Sequence, residues 1–117
     1  MFTINNIDVF ENIDECQNHF TKFIVHKCEN DATMKYNVCD FFKNFKDDLK
    51  MKNAKNIAKN MLFIKYDDCF FVVEKHRNKY EISNYYIDDD FKFLYDETLC
   101  FDSLYSFFNE LRYLLLH

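Results

Sequence analysis

The sequence predicts an α+β fold: a small antiparallel sheet of three or more strands flanked by two helices, with a helical extension at the N-terminus. Three observations predict it. Apolar residues recur at spacings of three and four in N-terminal, middle and C-terminal stretches, the period of amphipathic helices. Between the second and third of these the period shortens, and apolar runs alternate with polar turns as in a meander. The composition, 49% hydrophobic and 20% aromatic over 117 residues, supports one core built from rings, with fifteen Phe, eight Tyr and no Trp.

Ile7, Phe10, Ile13, Cys16, Phe20, Phe23 and Ile24 recur at helical spacing, which predicts a helix over residues 7–27. Glu29, Asn30 and Asp31 break it. Residues 33–42 carry Met34, Tyr36, Val38, Phe41 and Phe42 without a decisive period. A second helix is expected over residues 49–60, with Met51, Ala54, Ile57, Ala58 and Met61 as its apolar face and Asp47 or Asp48 at its start, where acids suit the helix dipole. Residues 61–66, 69–74 and 79–87 then read as three strands, separated by Asp67-Asp68 and by His76-Arg77-Asn78. Asp88, Asp89 and Asp90 form a turn, Phe91 to Tyr95 a short strand, and Asp102 or Ser103 the cap of a last helix faced by Leu104, Phe107, Phe108, Leu111 and Leu115.

Whole classes of function are excluded by what the chain lacks. It contains no Gly and no Pro, so glycine phosphate loops, dinucleotide fingerprints and nucleophile elbows are absent, and no cofactor is expected. Positive-φ turns are expected to fall to Asn and Asp. Cys16, Cys28, Cys39, Cys69 and Cys100 form no CxxC pair, which argues for reduced thiols and against a zinc framework. Cys69 and His76 stand at opposite ends of one strand, roughly 20 Å apart at about 3.3 Å per residue, too far for a nucleophile and its base. His19 and His26 share a helical face without further ligands. No apolar run approaches the roughly 18 residues of a membrane span, and no secretory signal opens the chain, so a cytoplasmic protein with no membrane partner is expected.

Charge is unevenly spread. Residues 43–65 carry Lys43, Lys46, Lys50, Lys52, Lys55, Lys59 and Lys65 against Asp47 and Asp48, a window of net +5 in a chain of net −5. A local excess of one sign is a place to hold an anion. The acidic total argues against nucleic acid as that anion.

Three segments resemble the SH2 domain, the phosphotyrosine-reading module, over residues 44–116, within an expected domain of residues 44–117. Asn44 to Lys52 with Ala54, Ile57 and Ala58 resembles the opening motif and first helix of that family. Leu62-Phe63-Ile64-Lys65 resembles its signature strand, written there as Phe-Leu-Val-Arg, and Phe101 to Phe108 resembles the entry to its second helix. Tyr80 and Ile82 fit its central strand. The sequence departs from the pattern where Lys65 replaces the arginine, which exchanges a bidentate fork for a point charge. Met51 stands at a position often basic, Tyr66-Asp67-Asp68 replaces a donor-rich loop, and Lys79 replaces a histidine.

The resemblance implies a non-enzymatic module that captures a tyrosine-phosphorylated protein or peptide. Lys65, helped by Lys50, Lys52 and Lys79, would hold the phosphate, and Tyr80, Ile82, Tyr95 and Phe101 would contact the peptide beyond it. Residues 1–43 would form a helical extension packed with the SH2-like domain as one globular unit. The bland reading of Lys65 is a strand lysine whose stem packs while its amine reaches water. The alternative function is a protein-interaction domain, for example a viral host-interaction factor, without phosphate recognition.

Overall fold

A computed structural model describes residues 1–4, 7–27, 31–51, 61–66 and 69–115. Among them six strands and three helices follow in the order β1 (Phe2–Ile4), β2 (Ile7–Phe10), α1 (Ile13–Lys27), α2 (Ala32–Met51), β3 (Met61–Tyr66), β4 (Cys69–Lys75), β5 (Tyr80–Ile87), β6 (Phe93–Phe101) and α3 (Leu104–Leu115). The strands form one sheet in sequence order, every neighbouring pair antiparallel.

The α+β class is as the sequence predicts, and β3, β4 and β5 lie within a residue of their expected bounds. The N-terminal part differs. Ile7 to Phe10 are a strand, not the first turn of a helix, and β2 pairs with β3 through Asp8↔Lys65, Val9↔Ile64 and Phe10↔Phe63. Residues 1–43 are therefore no helical appendage: they supply two strands of the sheet, and residue 43 lies inside α2. α1 begins only after Asn12, whose Oδ1 accepts hydrogen bonds from the backbone N–H of Asp14 and Glu15 at 2.8 and 3.3 Å. α2 begins after Asp31, whose Oδ1 accepts from Thr33 and Met34 at 2.9 and 3.0 Å. The region of indecisive period is thus helical, and Asp47 and Asp48 lie within α2 instead of capping a new helix. The remainder of the expected second helix, residues 52–60, lies outside the described residues, as do Asp67 and Asp68.

Side-chain alternation along the strands divides the core between the two faces of the sheet. Phe10, Met61, Phe63, Phe70, Val72 and Ile87 point to one side and pack with Cys16 and Phe20 of α1 and Val38 and Phe42 of α2. Val9, Ile64, Phe71, Val73 and Ile82 point to the other and pack with Phe107, Phe108 and Leu111 of α3. The sheet is a middle layer, with the α1–α2 pair on one face and α3 on the other. Lys46 bridges the helix pair: its ammonium meets Asp14 and donates to Gln17 Oε1 at 2.7 Å.

β6 runs to Phe101, well beyond the short strand expected, and a bulge at Asn84–Tyr85 adjusts its register against β5. Asp88 builds the turn before it, accepting at Oδ1 from the N–H groups of Asp90 and Lys92, both at 2.9 Å. The positive φ in that turn belongs to Phe91, at 60°, and not to an Asn or Asp. Its buried ring packs 5.9 Å from that of Phe23, so tertiary packing holds a backbone conformation that Phe disfavours. Ser103 caps α3, accepting at Oγ from the N–H of Ser106 at 3.1 Å. No helix among the described residues is long and apolar enough to cross a membrane.

Candidate functional site

Lys65 lies on the α1–α2 face of the sheet. Its stem is half-buried, and Nζ sits 4.3 Å from the centre of the Phe23 ring and 5.6 Å from that of Phe20. Both rings belong to α1, so the amine is held between helix and sheet by contacts of cation–π type. Asp8 stands directly across from Lys65 in the strand register, and its Oδ2 lies 3.3 Å from His19 Nε2. A carboxylate therefore shares the neighbourhood in which an incoming phosphate would have to fit.

The other expected phosphate ligands do not converge there. Lys65 pairs with Phe70 across β3 and β4, whereas Lys79 adjoins Tyr80, which pairs with Lys75. Five residues separate Phe70 from Lys75, so Lys79 stands roughly 17 Å further along the sheet at about 3.3 Å per residue. It is exposed and lies 3.7 Å from Glu81 Oε1. Lys50, also exposed, is in the last turn of α2. Along α2, Phe41 packs on Phe70 and Phe45 on both Phe63 and Phe70, so the helix runs away from the Lys65 end. Lys50 is nine residues past Phe41, a further 13–14 Å or so at about 1.5 Å per residue. Lys52 lies outside the described residues.

The expected peptide contacts divide. Ile82 is 1% exposed and belongs to the core beneath α3, which corrects its assignment to a binding surface. Tyr80 and Phe101 are half-buried against that same core, with Phe101 packed on Phe107 at 5.4 Å. Tyr95 is exposed; its hydroxyl is hydrogen-bonded with that of Thr98 at 2.7 Å, and its ring meets Tyr85 edge-on at 5.6 Å.

Tyr95 borders a feature that periodicity does not reveal. α2 passes beside the end of the sheet, and between them runs an open groove of about 470 Å³. Asn37, Asp40, Asn44 and Asp48, one stripe of α2, form one wall; Lys92 and Leu94 form the other; Phe41, Phe45, Tyr85 and Phe93 make the floor. Phe41 and Phe93 stack at 4.2 Å with their planes 12° apart, so the floor is a rigid aromatic plate. The Tyr85 phenol is held above its ordinary pKa, first by burial and then by Tyr95, Asp48 and Glu74, and keeps its proton at neutral pH. β6 ends the sheet among the described residues, so its outer row of backbone donors and acceptors meets no further described strand. Helix wall, aromatic floor and open strand edge together are the parts needed to take an extended chain. A sequence signal for this site exists in the spacing of Asn37, Phe41, Asn44 and Asp48 on one helical face, but it requires knowing that α2 begins at residue 32.

A second constellation lies at the far end of the sheet. Glu74 and Glu81 are direct cross-strand partners, and His76 of the intervening turn places Nε2 3.8 Å from Glu74 Oε2 and 3.3 Å from Glu81 Oε2. Counting outward from the turn would have paired the two glutamates. Among the cysteines, Cys16 is buried, Cys39 and Cys100 are exposed and Cys69 is half-buried, with no disulfide among the described residues. Cys69 opens β4 and His76 follows its end, as expected. Comparison with protein-family models, with curated proteins and with solved structures finds no match to this chain.

Proposed function

We propose that this protein is a non-enzymatic interaction module that binds an extended segment of a partner protein along β6. The segment adds a strand to the sheet edge, places one large apolar side chain on the Phe41–Phe93 plate, and is selected for lysine or arginine beside that anchor. The observation that carries this reading is the groove between α2 and β6, whose charged lining among the described residues is Asp40 and Asp48 against Lys92. Asp96 and Glu97, exposed on β6 itself, extend the negative field along the edge. Main-chain hydrogen bonds supply affinity in such a mode, and the pocket with its charges supplies selectivity.

Random peptides displayed on phage and selected on the full chain test it. Enriched sequences are expected to carry one large apolar residue flanked by basic ones, and their binding should weaken with salt. A double variant Asp40→Lys/Asp48→Lys should lower the affinity of the selected peptides by about tenfold or more, the factor that roughly 1.4 kcal/mol of lost attraction produces. Absence of enrichment, or peptides indifferent to the double variant, overturns the reading.

Capture of phosphotyrosine stands as the second reading. In its favour are the helix–meander–helix order of α2, β3 to β5 and α3, and the half-buried placement of Lys65 between α1 and the sheet. A phosphotyrosine peptide array, read beside Lys65→Ala, separates the two: phosphate-dependent binding lost with Lys65 favours it, and equal binding of unphosphorylated peptides removes it.

A further inference from the structure

We infer that Glu74, His76 and Glu81 form a surface site for a divalent transition metal of zinc type. The three residues each offer one ligand atom, and all these atoms lie within 4.8 Å of one another. Zinc binds imidazole nitrogen and carboxylate oxygen at about 2.0–2.2 Å, so two tetrahedral ligand atoms stand about 3.3–3.6 Å apart. The 3.3 Å between His76 Nε2 and Glu81 Oε2 matches this spacing, and the 3.8 Å to Glu74 Oε2 asks only a small side-chain adjustment. Lys79 stands 3.7 Å from the other Glu81 oxygen, Oε1, which leaves Oε2 for the metal.

The backbone supplies an independent argument. Like charges placed directly opposite on antiparallel strands destabilise the pair, and Glu74 and Glu81 are such a pair, both half-buried. A dication between them turns that repulsion into attraction and clamps the β4–β5 hairpin. The donor set selects the metal: imidazole is a poor ligand for calcium, and two carboxylates without further oxygens do not make a calcium cage. Three protein ligands leave a coordination position for water.

The test uses the full chain with Cys39→Ser and Cys100→Ser, so that exposed thiols do not compete. Zn²⁺ is titrated calorimetrically, Ca²⁺ serves as the control, and Co²⁺ serves as the spectroscopic probe. The expected result is one zinc per chain, no calcium binding, no thiolate-to-cobalt charge-transfer band, and a rise in melting temperature with metal concentration. His76→Ala and Glu81→Gln should each weaken zinc binding. Loss of a mere supporting partner costs about 10- to 100-fold, so loss of a direct ligand should cost at least that. Folding of both variants is checked by circular dichroism without metal. No binding, a thiolate band, or unchanged affinity in both variants overturns the inference.

Discussion

Phe70→Ala is the substitution that most directly tests how this fold is held. Phe70 is fully buried on β4, on the α1–α2 side of the sheet. Its ring centre lies 5.4 Å from Phe42, 5.8 Å from Phe41, and 5.9 Å from both Phe20 and Tyr85. Phe45 and Phe93 follow at 6.0 Å, and Phe63 stacks at 6.4 Å. No single helix can fill the space its removal would leave, because the neighbours come from α1, α2 and the three strands β3, β5 and β6. Truncating a buried Phe to Ala costs about 3–5 kcal/mol, more where the surroundings cannot collapse. The upper half of that range, about 4–5 kcal/mol, is expected here. A chain of this length has about 6–17 kcal/mol of stability in total at about 0.05–0.15 kcal/mol per residue, so the loss takes a large share.

The assay is urea unfolding followed by far-ultraviolet circular dichroism, since the chain has no Trp to report fluorescence. If Phe70→Ala does not fold, Phe70→Leu supplies the measurement. It keeps most of the volume but loses the edge-to-face ring contacts with Phe20, Phe41 and Phe45, for an expected cost of about 1–2 kcal/mol. A loss below about 1.5 kcal/mol for Phe70→Ala, with the urea slope unchanged, would refute the placement of this ring at the centre of the core.

Two further predictions concern charge and backbone strain. Burial pushes the Cys16 thiol well above its ordinary pKa, so folding favours the protonated form. Stability is therefore complete below the unfolded thiol's value of about 8.5 and falls as pH rises past it, by up to about 1.4 kcal/mol per pH unit; urea titrations at several pH values should show a shallower fall in Cys16→Ala. Phe91→Gly relieves about 1–2 kcal/mol of left-handed strain but removes a buried ring worth about 3–5 kcal/mol, so a net loss of about 1–4 kcal/mol is expected. A gain in melting temperature for that variant would mean that strain outweighs packing in this turn.

The central sheet was legible because its signals were local. β3 and β4 are short aromatic and β-branched runs bounded by acids, and each is buried on both faces, so no alternation had to be seen. β2 is hidden in the sequence because Ile7 and Phe10 stand three apart and extend the period of α1 backward. Asn12 followed by Glu15 marked the true start of the helix, as an N-cap with an acid in its first turn. β6 outruns its sequence signal for the opposite reason. Leu94 to Thr98 are exposed, and a strand at the edge of a sheet need show neither a continuous apolar run nor a clean alternation.

The candidate sites are less legible because proximity in sequence is not proximity in space. Lys65 and Lys79 each stand beside a hairpin turn, but successive turns of a meander lie at opposite ends of the sheet. Two residues separated by one whole strand and its turns are therefore driven apart by about the strand's length. The same rule brings Glu74 and Glu81 together, since they are equidistant from one turn. It also explains the charge of the groove. The stripe of α2 that lines it, Asn37 to Asp48, is acidic and uncharged-polar, whereas Lys43 and Lys46 leave the helix on other faces, and Lys46 is occupied by Asp14 and Gln17. Of the lysine-rich window, the described lysines divide between α2, with Lys43, Lys46 and Lys50, and β3, with Lys65. Among the described residues the groove carries Asp40 and Asp48 against Lys92, and this excess of carboxylate is why the proposed ligand is a basic segment and not an anion.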